Sequence, residues 1–336
     1  MNEKILNNIN DVLSNNKNII LIPHSSPDAD ALGSCLGLYH FFKDENNVSI
    51  ISPNEYTDIL NFLPGSKSVI VFDNEKEKST NLLRNADVIF TLDFNSLSRA
   101  RNMSNLISKS SAKIIMIDHH ENPDKYADIM ISDSKMSSTC EMIYDFICLL
   151  DKNKINNKIA TCLYTGIVAD TGSFRYPSTT SKTLKAGSEL INYGVNVTEI
   201  FEKLHNNFQF KRLKLLGAAI NNFKKIDGLP VLYTSITDDD QKINSFKKGD
   251  SEGFVNFGLS VTGILCSVLF IEKKDEGLIK ISFRSKGDFK VNIFASKYFS
   301  GGGHENASGG ISKLSLIDTE KKFIKDIKHH IKENYE

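Results

Sequence analysis

The chain has 336 residues, 40% of them hydrophobic, and equal numbers of basic and acidic residues, so its formal net charge is zero. A neutral chain has no whole-molecule attraction for a nucleic-acid backbone, which argues against a long duplex as partner and makes any phosphate site local. Five scattered cysteines without a C-x-x-C pair argue against a disulfide scaffold, and the absence of a signal-like N-terminus or an apolar run near ~18 residues sets the expectation of a cytoplasmic protein without a membrane span.

Residues 3–15 place Ile5, Leu6, Ile9, Val12 and Leu13 on one helical face. Residues 18–23 form an apolar strand that runs into His24, and 31–42 read as a largely buried helix. Strands follow near 48–52, 68–72, 87–93 and 113–118, and helices near 97–109, 138–150 and 155–168. Near-continuous Val/Ile strands separated by helices predict a parallel sheet covered on both faces. Asn192-Tyr193-Gly194 reads as a helix C-cap. The pattern over 198–223, which includes Phe201, Phe208 and Leu216, predicts one long connector helix. Beyond Gly228, strands are expected at 230–236, 264–272 and 277–284, and helices near 239–247, 290–299 and 315–332. Asp238-Asp239-Asp240 suits a helix N-terminus, where carboxylates favour the dipole. At 336 residues two domains are expected. The fold class is therefore α/β, with an N-terminal parallel-sheet domain over 1–194, a connector helix over 195–226 and a smaller α/β domain over 227–336.

Four acidic and imidazole clusters interrupt this pattern, each straight after an apolar run, where an open α/β sheet presents its binding crevice. The first is H-S-S-P-D-A-D-A-L-G-S, with His24, Asp28 and Asp30 ahead of a helix opened by Gly33 and Ser34. The second is Asp93 at the end of Val88–Leu92; a carboxylate there is costly unless paired or metal-bound, and its middle position suits a bridge. The third is Asp118-His119-His120. Adjacent residues leaving a strand point opposite ways, so one histidine is expected as a ligand, Asp118 as its support and the other imidazole toward a substrate phosphate. The fourth is Asp170 in G-I-V-A-D-T-G. Four carboxylate sites and two imidazole sites suffice for two divalent cations, the arrangement for in-line attack on a phosphate ester. The donors are O and N without thiolate, which favours manganese over zinc. In the second half, Arg284 in F-R-S-K-G offers a fork for phosphate, and G-G-G-H at 301–304 lets backbone N–H groups approach an anion.

Together these strings resemble the DHH phosphoesterase family with its DHH-associated C-terminal domain. Within that family the layout is most similar to the bacterial nano-RNase (oligoribonuclease) and pAp phosphatase branch. The resemblance spans His24 to Gly310. It implies two Mn2+ ions, with Mg2+ or Co2+ as substitutes. His24, Asp28 and Asp93 would hold one ion, and Asp30, Asp93, His119 and Asp170 the other. Asp118 and His120 would serve catalysis, and Arg99, Arg284, Ser285, Gly302, Gly303 and His304 would bind substrate. Ser26 and Ala29 stand where the family often has Asn and Gly, and neither is a ligand. The expected activity is hydrolysis of short single-stranded RNA or DNA oligonucleotides and of 3′-phosphoadenosine 5′-phosphate (pAp). The alternatives are a cyclic-di-AMP or linear dinucleotide phosphodiesterase, a single-strand exonuclease, an inorganic polyphosphatase and a non-catalytic nucleotide-binding regulator. A homodimer is compatible with the reading.

Overall fold

In a computed structural model the described residues are 9, 12, 13, 16–206, 209–247 and 249–334. Most of the helix expected over 3–15, with Ile5 and Leu6, lies outside them, as does Phe208. The chain divides into two compact units, Met1–Asn207 and Phe208–Glu336.

The first unit is built on six strands: β1 (Asn18–Pro23), β2 (Asn47–Ser52), β3 (Val69–Val71), β4 (Val88–Leu92), β5 (Lys113–Asp118) and β6 (Ile129–Ser132). Their order is β3-β2-β1-β4-β5-β6, and every pairing is parallel. The alternation of strand side chains feeds two cores. From β1, Ile19 and Leu21 enter one cluster with Leu32, Leu36, Ile143 and Leu163. Ile20 and Ile22 enter the other with Leu83, Met103 and Ile107. This two-sided burial is why the strands read as unbroken apolar runs. The strand order reverses between β1 and β4. Such a switch point opens a crevice outside the carboxyl ends of the strands.

Helices α1 (Ala29–Phe42), α4 (Thr139–Asp151), α5 (Asn157–Asp170) and α6 (Ser181–Ile191) belong to this unit, as do the smaller α2 (Lys76–Arg84) and α3 (Ser104–Ser108). Helix α1 is buried almost all round. It lies against α5 closely enough that a Cβ on Gly33 would stand 2.6 Å from the Cys162 carbonyl oxygen. A Cβ on Gly166 would stand 2.3 Å from the Cys140 sulfur. The glycines set the distance between these helices.

Three details differ from expectation. The segment expected as one helix over 97–109 is a 3-10 segment, Leu97–Met103, broken inside at Arg101 (φ 49°) and followed directly by α3. Helix α2 and strand β6 had no clear apolar periodicity and were not anticipated. The connector is two helices, α7 (Val197–His205) and α8 (Phe210–Asn221), because Gln209 is extended at φ −67°, ψ 146°. Asp170 ends helix α5, the helix expected near 155–168, so a helix C-terminus delivers it to its site.

The second unit holds β7 (Lys224–Lys225), β8 (Val231–Ile236), β9 (Cys266–Lys273), β10 (Leu278–Ser285), β11 (Gly302–His304) and β12 (Ala307–Ser312), in the order β11-β12-β10-β9-β8-β7. Only the β8–β9 pairing is parallel. Helices α11 (Val291–Phe299) and α12 (Leu316–Asn334) cover one face through Phe294, Phe299, Phe323 and Ile327. On the other, α8 and α10 (Phe254–Leu259) pack Leu215, Ala219 and Phe254 on Leu269 and Ile271, and α9 (Asp238–Ile243) follows β8. Asp238-Asp239-Asp240 forms the first turn of α9, capped by Thr237, as expected for an acidic helix start. The glycine-rich segment read as a loop is a hairpin of β11 and β12. Among the described residues no helix is long and apolar enough to cross a membrane.

Candidate metal centre

The crevice at the switch point collects all four N-terminal clusters. His24 follows β1, Asp93 follows β4 and His119 follows β5, the neighbour of β4. Asp28 caps α1, its Oδ1 accepting the N–H groups of Asp30 and Ala31 at 3.0 Å each. Asp93 has a left-handed backbone, φ 65°. Such a conformation in a non-glycine residue is strained and marks functional turns.

Asp93 stands between two ligand groups. Its Oδ2 is 3.5 Å from His24 Nε2, which is 3.6 Å from Asp28 Oδ2. Its Oδ1 is 3.5 Å from His119 Nε2. His119 Nε2 lies 3.3 Å from Asp170 Oδ2 and 3.9 Å from Asp30 Oδ2. These separations are long for hydrogen bonds and suit atoms sharing a cation. The sets His24–Asp28–Asp93 and Asp30–His119–Asp170 each gather their ligand atoms within 4.8 Å.

The imidazoles are oriented for ligation. His24 Nδ1 donates to the Ser25 carbonyl at 2.9 Å, which leaves Nε2 buried and without a hydrogen-bond partner. His119 Nδ1 donates to the Met136 carbonyl at 3.2 Å and turns its Nε2 toward three carboxylates. A backbone carbonyl behind one ring nitrogen fixes the tautomer that presents a lone pair to a metal. The donor set therefore fits divalent cations. His120 plays a different part. Its Nδ1 donates to Asp118 Oδ1 at 2.7 Å, and its Nε2 meets Arg99 Nη1 at 2.9 Å. The Arg99 contact needs a lone pair on Nε2, which calls for neutral His120 with its proton on Nδ1; burial favours that neutral form, while the hydrogen bond to Asp118 and the charge of Asp93 raise the imidazole above its usual range. Asp118, fully buried, also accepts the His120 N–H at 3.1 Å.

Electrostatics point the same way. Burial first, then the charges of Asp93, Asp170 and Asp28, push the Asp30 carboxyl well above its usual range. Burial also pushes Asp170 up to about 7; His119 opposes the shift while Asp93 and Asp28 reinforce it. Burial alone would lower His24, but Asp28 and Asp93 outweigh it and raise the imidazole to about 10. Carboxylates this close cannot all ionise comfortably without a counter-charge.

A stability prediction follows. Asp170 binds its proton more tightly folded than unfolded between about pH 4 and 7, and His24 does so between about 6.5 and 10. Where the folded state holds more protons, stability falls as pH rises. The metal-free protein should therefore melt at progressively lower temperature from pH 5 to pH 8, and saturating Mn2+ should flatten that slope. Melting curves with and without chelator check it; a metal-free melting temperature that rises across this window would contradict it.

In the second unit, β-register places Arg284, Ala307 and His304 in one row across β10, β12 and β11. Adjacent strand residues face opposite ways, so Ser285 does not share that face. It is buried instead, its hydroxyl donating to the Phe289 carbonyl at 2.5 Å and accepting from Asn306 at 2.9 Å. Ser285 thus holds the turn after β10, at odds with the substrate contact expected of it. Gly303, at φ 141°, lies so near β12 that a Cβ would meet the Ala307 carbonyl oxygen at 2.6 Å, whereas Gly302 faces open space.

Two residues were missed in the sequence, Thr139 and Gly166. The string Ser137-Ser138-Thr139-Cys140-Glu141 signalled only a helix start. Its Thr139 and Cys140 N–H groups bind the two Asp30 oxygens at 2.7 and 2.8 Å. Gly166 gave no signal beyond its small size, yet a Cβ there would stand 2.9 Å from Asp30 Oδ1.

Comparison with known proteins matches two family descriptions: the DHH family N-terminal domain over residues 18–167 and the DHHA1 domain over residues 243–333. The bifunctional oligoribonuclease and PAP phosphatase NrnA of Bacillus subtilis is 32% identical, the alignment covering 94% of this chain and 95% of that protein. The protein of the same description from Thermus thermophilus is 30% identical over 89% of this chain and 86% of its own. Among solved structures, an exopolyphosphatase-related protein from Bacteroides fragilis superposes with a TM-score of 0.94 at 36% identity, covering 98% of this chain and 97% of that one.

Proposed function

This chain belongs to the DHH family of phosphate-ester hydrolases, and from that premise we propose that it cleaves short single-stranded oligonucleotides and pAp with two Mn2+ ions. The observation that carries the chemistry is Asp93, whose two oxygens face two separate ligand groups. The substrate class is supported by likeness to oligoribonuclease and pAp phosphatase proteins along nearly the whole of both chains.

In this proposal His24, Asp28 and Asp93 hold one ion, and Asp30, Asp93, His119 and Asp170 the other. When bound, the ions supply Lewis-acid activation of the water nucleophile and offset charge on the phosphoryl oxygens. Mg2+ or Co2+ can take the same O/N donors. Asp118 holds His120 in one tautomer, His120 Nε2 holds Arg99, and Arg99 presents its remaining N–H donors to the phosphoryl group beside His120. In the second unit, Arg284 and His304 grip a terminal phosphate or nucleotide, with Gly302 and Gly303 leaving their backbone open to it.

A chain of zero net charge has no whole-molecule attraction for a long strand, so length beyond a few nucleotides should add little affinity. With Mn2+, kcat/KM should be highest on pAp and on di- to pentanucleotides, fall toward a strand of about two dozen nucleotides, and depend weakly on salt. The test panel adds cyclic di-AMP and polyphosphate. Faster cutting of the long strand with a steep salt slope would move the protein to single-strand exonucleases; a clear preference for cyclic di-AMP would make it a cyclic-dinucleotide phosphodiesterase.

A further inference from the structure

We infer that Thr139 is a positioning residue that sets the orientation of the Asp93 carboxylate and thereby the affinity for the pair of metal ions. The inference rests on the metal-site reading above.

The terminal torsion of an aspartate is soft, with no sharp preferred angle. A carboxylate that must serve two ions, one through each oxygen, therefore needs an outside contact to fix its plane. Asp93 itself stands on a strained left-handed backbone, which gives no such control. Thr139 supplies the contact: its hydroxyl donates to Asp93 Oδ1 at 2.9 Å, and both residues are buried. Each carboxylate oxygen has two lone-pair sites. Thr139 occupies one on Oδ1 and leaves one there for the side of His119, Asp30 and Asp170, while Oδ2 faces His24 and Asp28. The same residue's N–H binds Asp30 Oδ2 at 2.7 Å. One residue at the first turn of α4 thus touches the shared carboxylate by its side chain and a carboxylate of the second group by its backbone.

Threonine suits this task. Its β-branch restricts χ1, so the hydroxyl is held toward Asp93 with little rotamer freedom to lose. Ser138, the preceding residue, is already committed as the cap of α4, accepting the Glu141 N–H at 3.0 Å.

The test uses Thr139→Val, which keeps the shape and removes the donor, and Thr139→Ser, which keeps the donor. Mn2+ binding is measured on metal-free protein from the EPR signal of free Mn2+. In T139V the dissociation constant of the weaker ion should rise by about 10–100-fold, the range for losing a hydrogen bond behind a ligand. The signal of a spin-coupled pair should give way to that of isolated Mn2+, and T139S should recover most of the affinity. Should T139V fail to fold, Thr139→Ala gives the same comparison. A folded donor-free variant with the wild-type isotherm and coupled spectrum would overturn the inference whatever its melting temperature, because a purely structural threonine affects only the latter. If the wild-type protein bound no Mn2+, it is the metal-site reading that would fall.

Discussion

Replacing Asp93 by asparagine is expected to lower kcat by about a thousandfold or more while leaving the protein folded. Losing one well-placed charge-stabilising donor already costs about 10²–10³ in kcat, and Asp93 serves two ligand groups at once. Asparagine keeps the size and tolerates the left-handed backbone at this position better than most residues do. It also removes one of the charges that push Asp30 and Asp170 upward. The metal-free variant should therefore melt no lower than the wild type, and its gain in melting temperature on adding Mn2+ should shrink. Near-normal turnover of D93N at saturating Mn2+ would show that the carboxylate does not bridge.

The second large effect is expected at Gly166, on stability and metal binding together. Gly166→Val removes a helix-weakening glycine from α5, which alone would favour the helix by up to ~1 kcal/mol. The site has no room for the gain. The new Cβ would stand 2.3 Å from the Cys140 sulfur and 3.0 Å from the Asp30 Cα. Overpacking of this kind costs about 1–3 kcal/mol and occasionally more. For a unit of this size that corresponds to a drop of about 2–4 °C in melting temperature for each kcal/mol. Helix α5 also carries Asp170, and α1 begins beside Asp30, so forcing the two apart separates ligands of the second group. Mn2+ affinity should fall with the melting temperature. An unchanged or raised melting temperature would mean that the helices yield easily and that the close approach is not what the glycine provides.

Most of the acidic and imidazole cluster was legible in the sequence because its parts follow a strand or open a helix in a way that local patterns reveal. His24, Asp93 and Asp118 end apolar runs, Asp28 caps a helix and Asp30 lies in its first turn. A parallel sheet presents such ends on one edge, so alternation and spacing alone brought these groups together. Asp170 ends the helix expected near 155–168, so the rule for strand ends does not place it; the packing of α5 brings it to Asp30 and His119.

Arg284 and Ser285 illustrate the limit of grouping residues by proximity in the chain. A strand turns neighbours to opposite faces, so one lies in the row with His304 and the other is enclosed. The long connector was likewise overread: its apolar residues keep helical spacing, but the backbone at Gln209 is extended and separates α7 from α8.

What the sequence by itself determined is the class of the fold, the strand ends that carry the ligands and the chemistry those ligands suit, because periodicity, punctuation and donor type are local properties. What only the tertiary structure decided is how distant segments hold these groups in place. The reversal of strand order between β1 and β4 sets Asp93 between two ligand groups. The start of α4 clamps Asp30 and holds Asp93 from far along the chain. The α1–α5 contact leaves space for no side chain at Gly166. Each depends on which distant segments meet, and a meeting between elements leaves no period in the sequence from which it could be read.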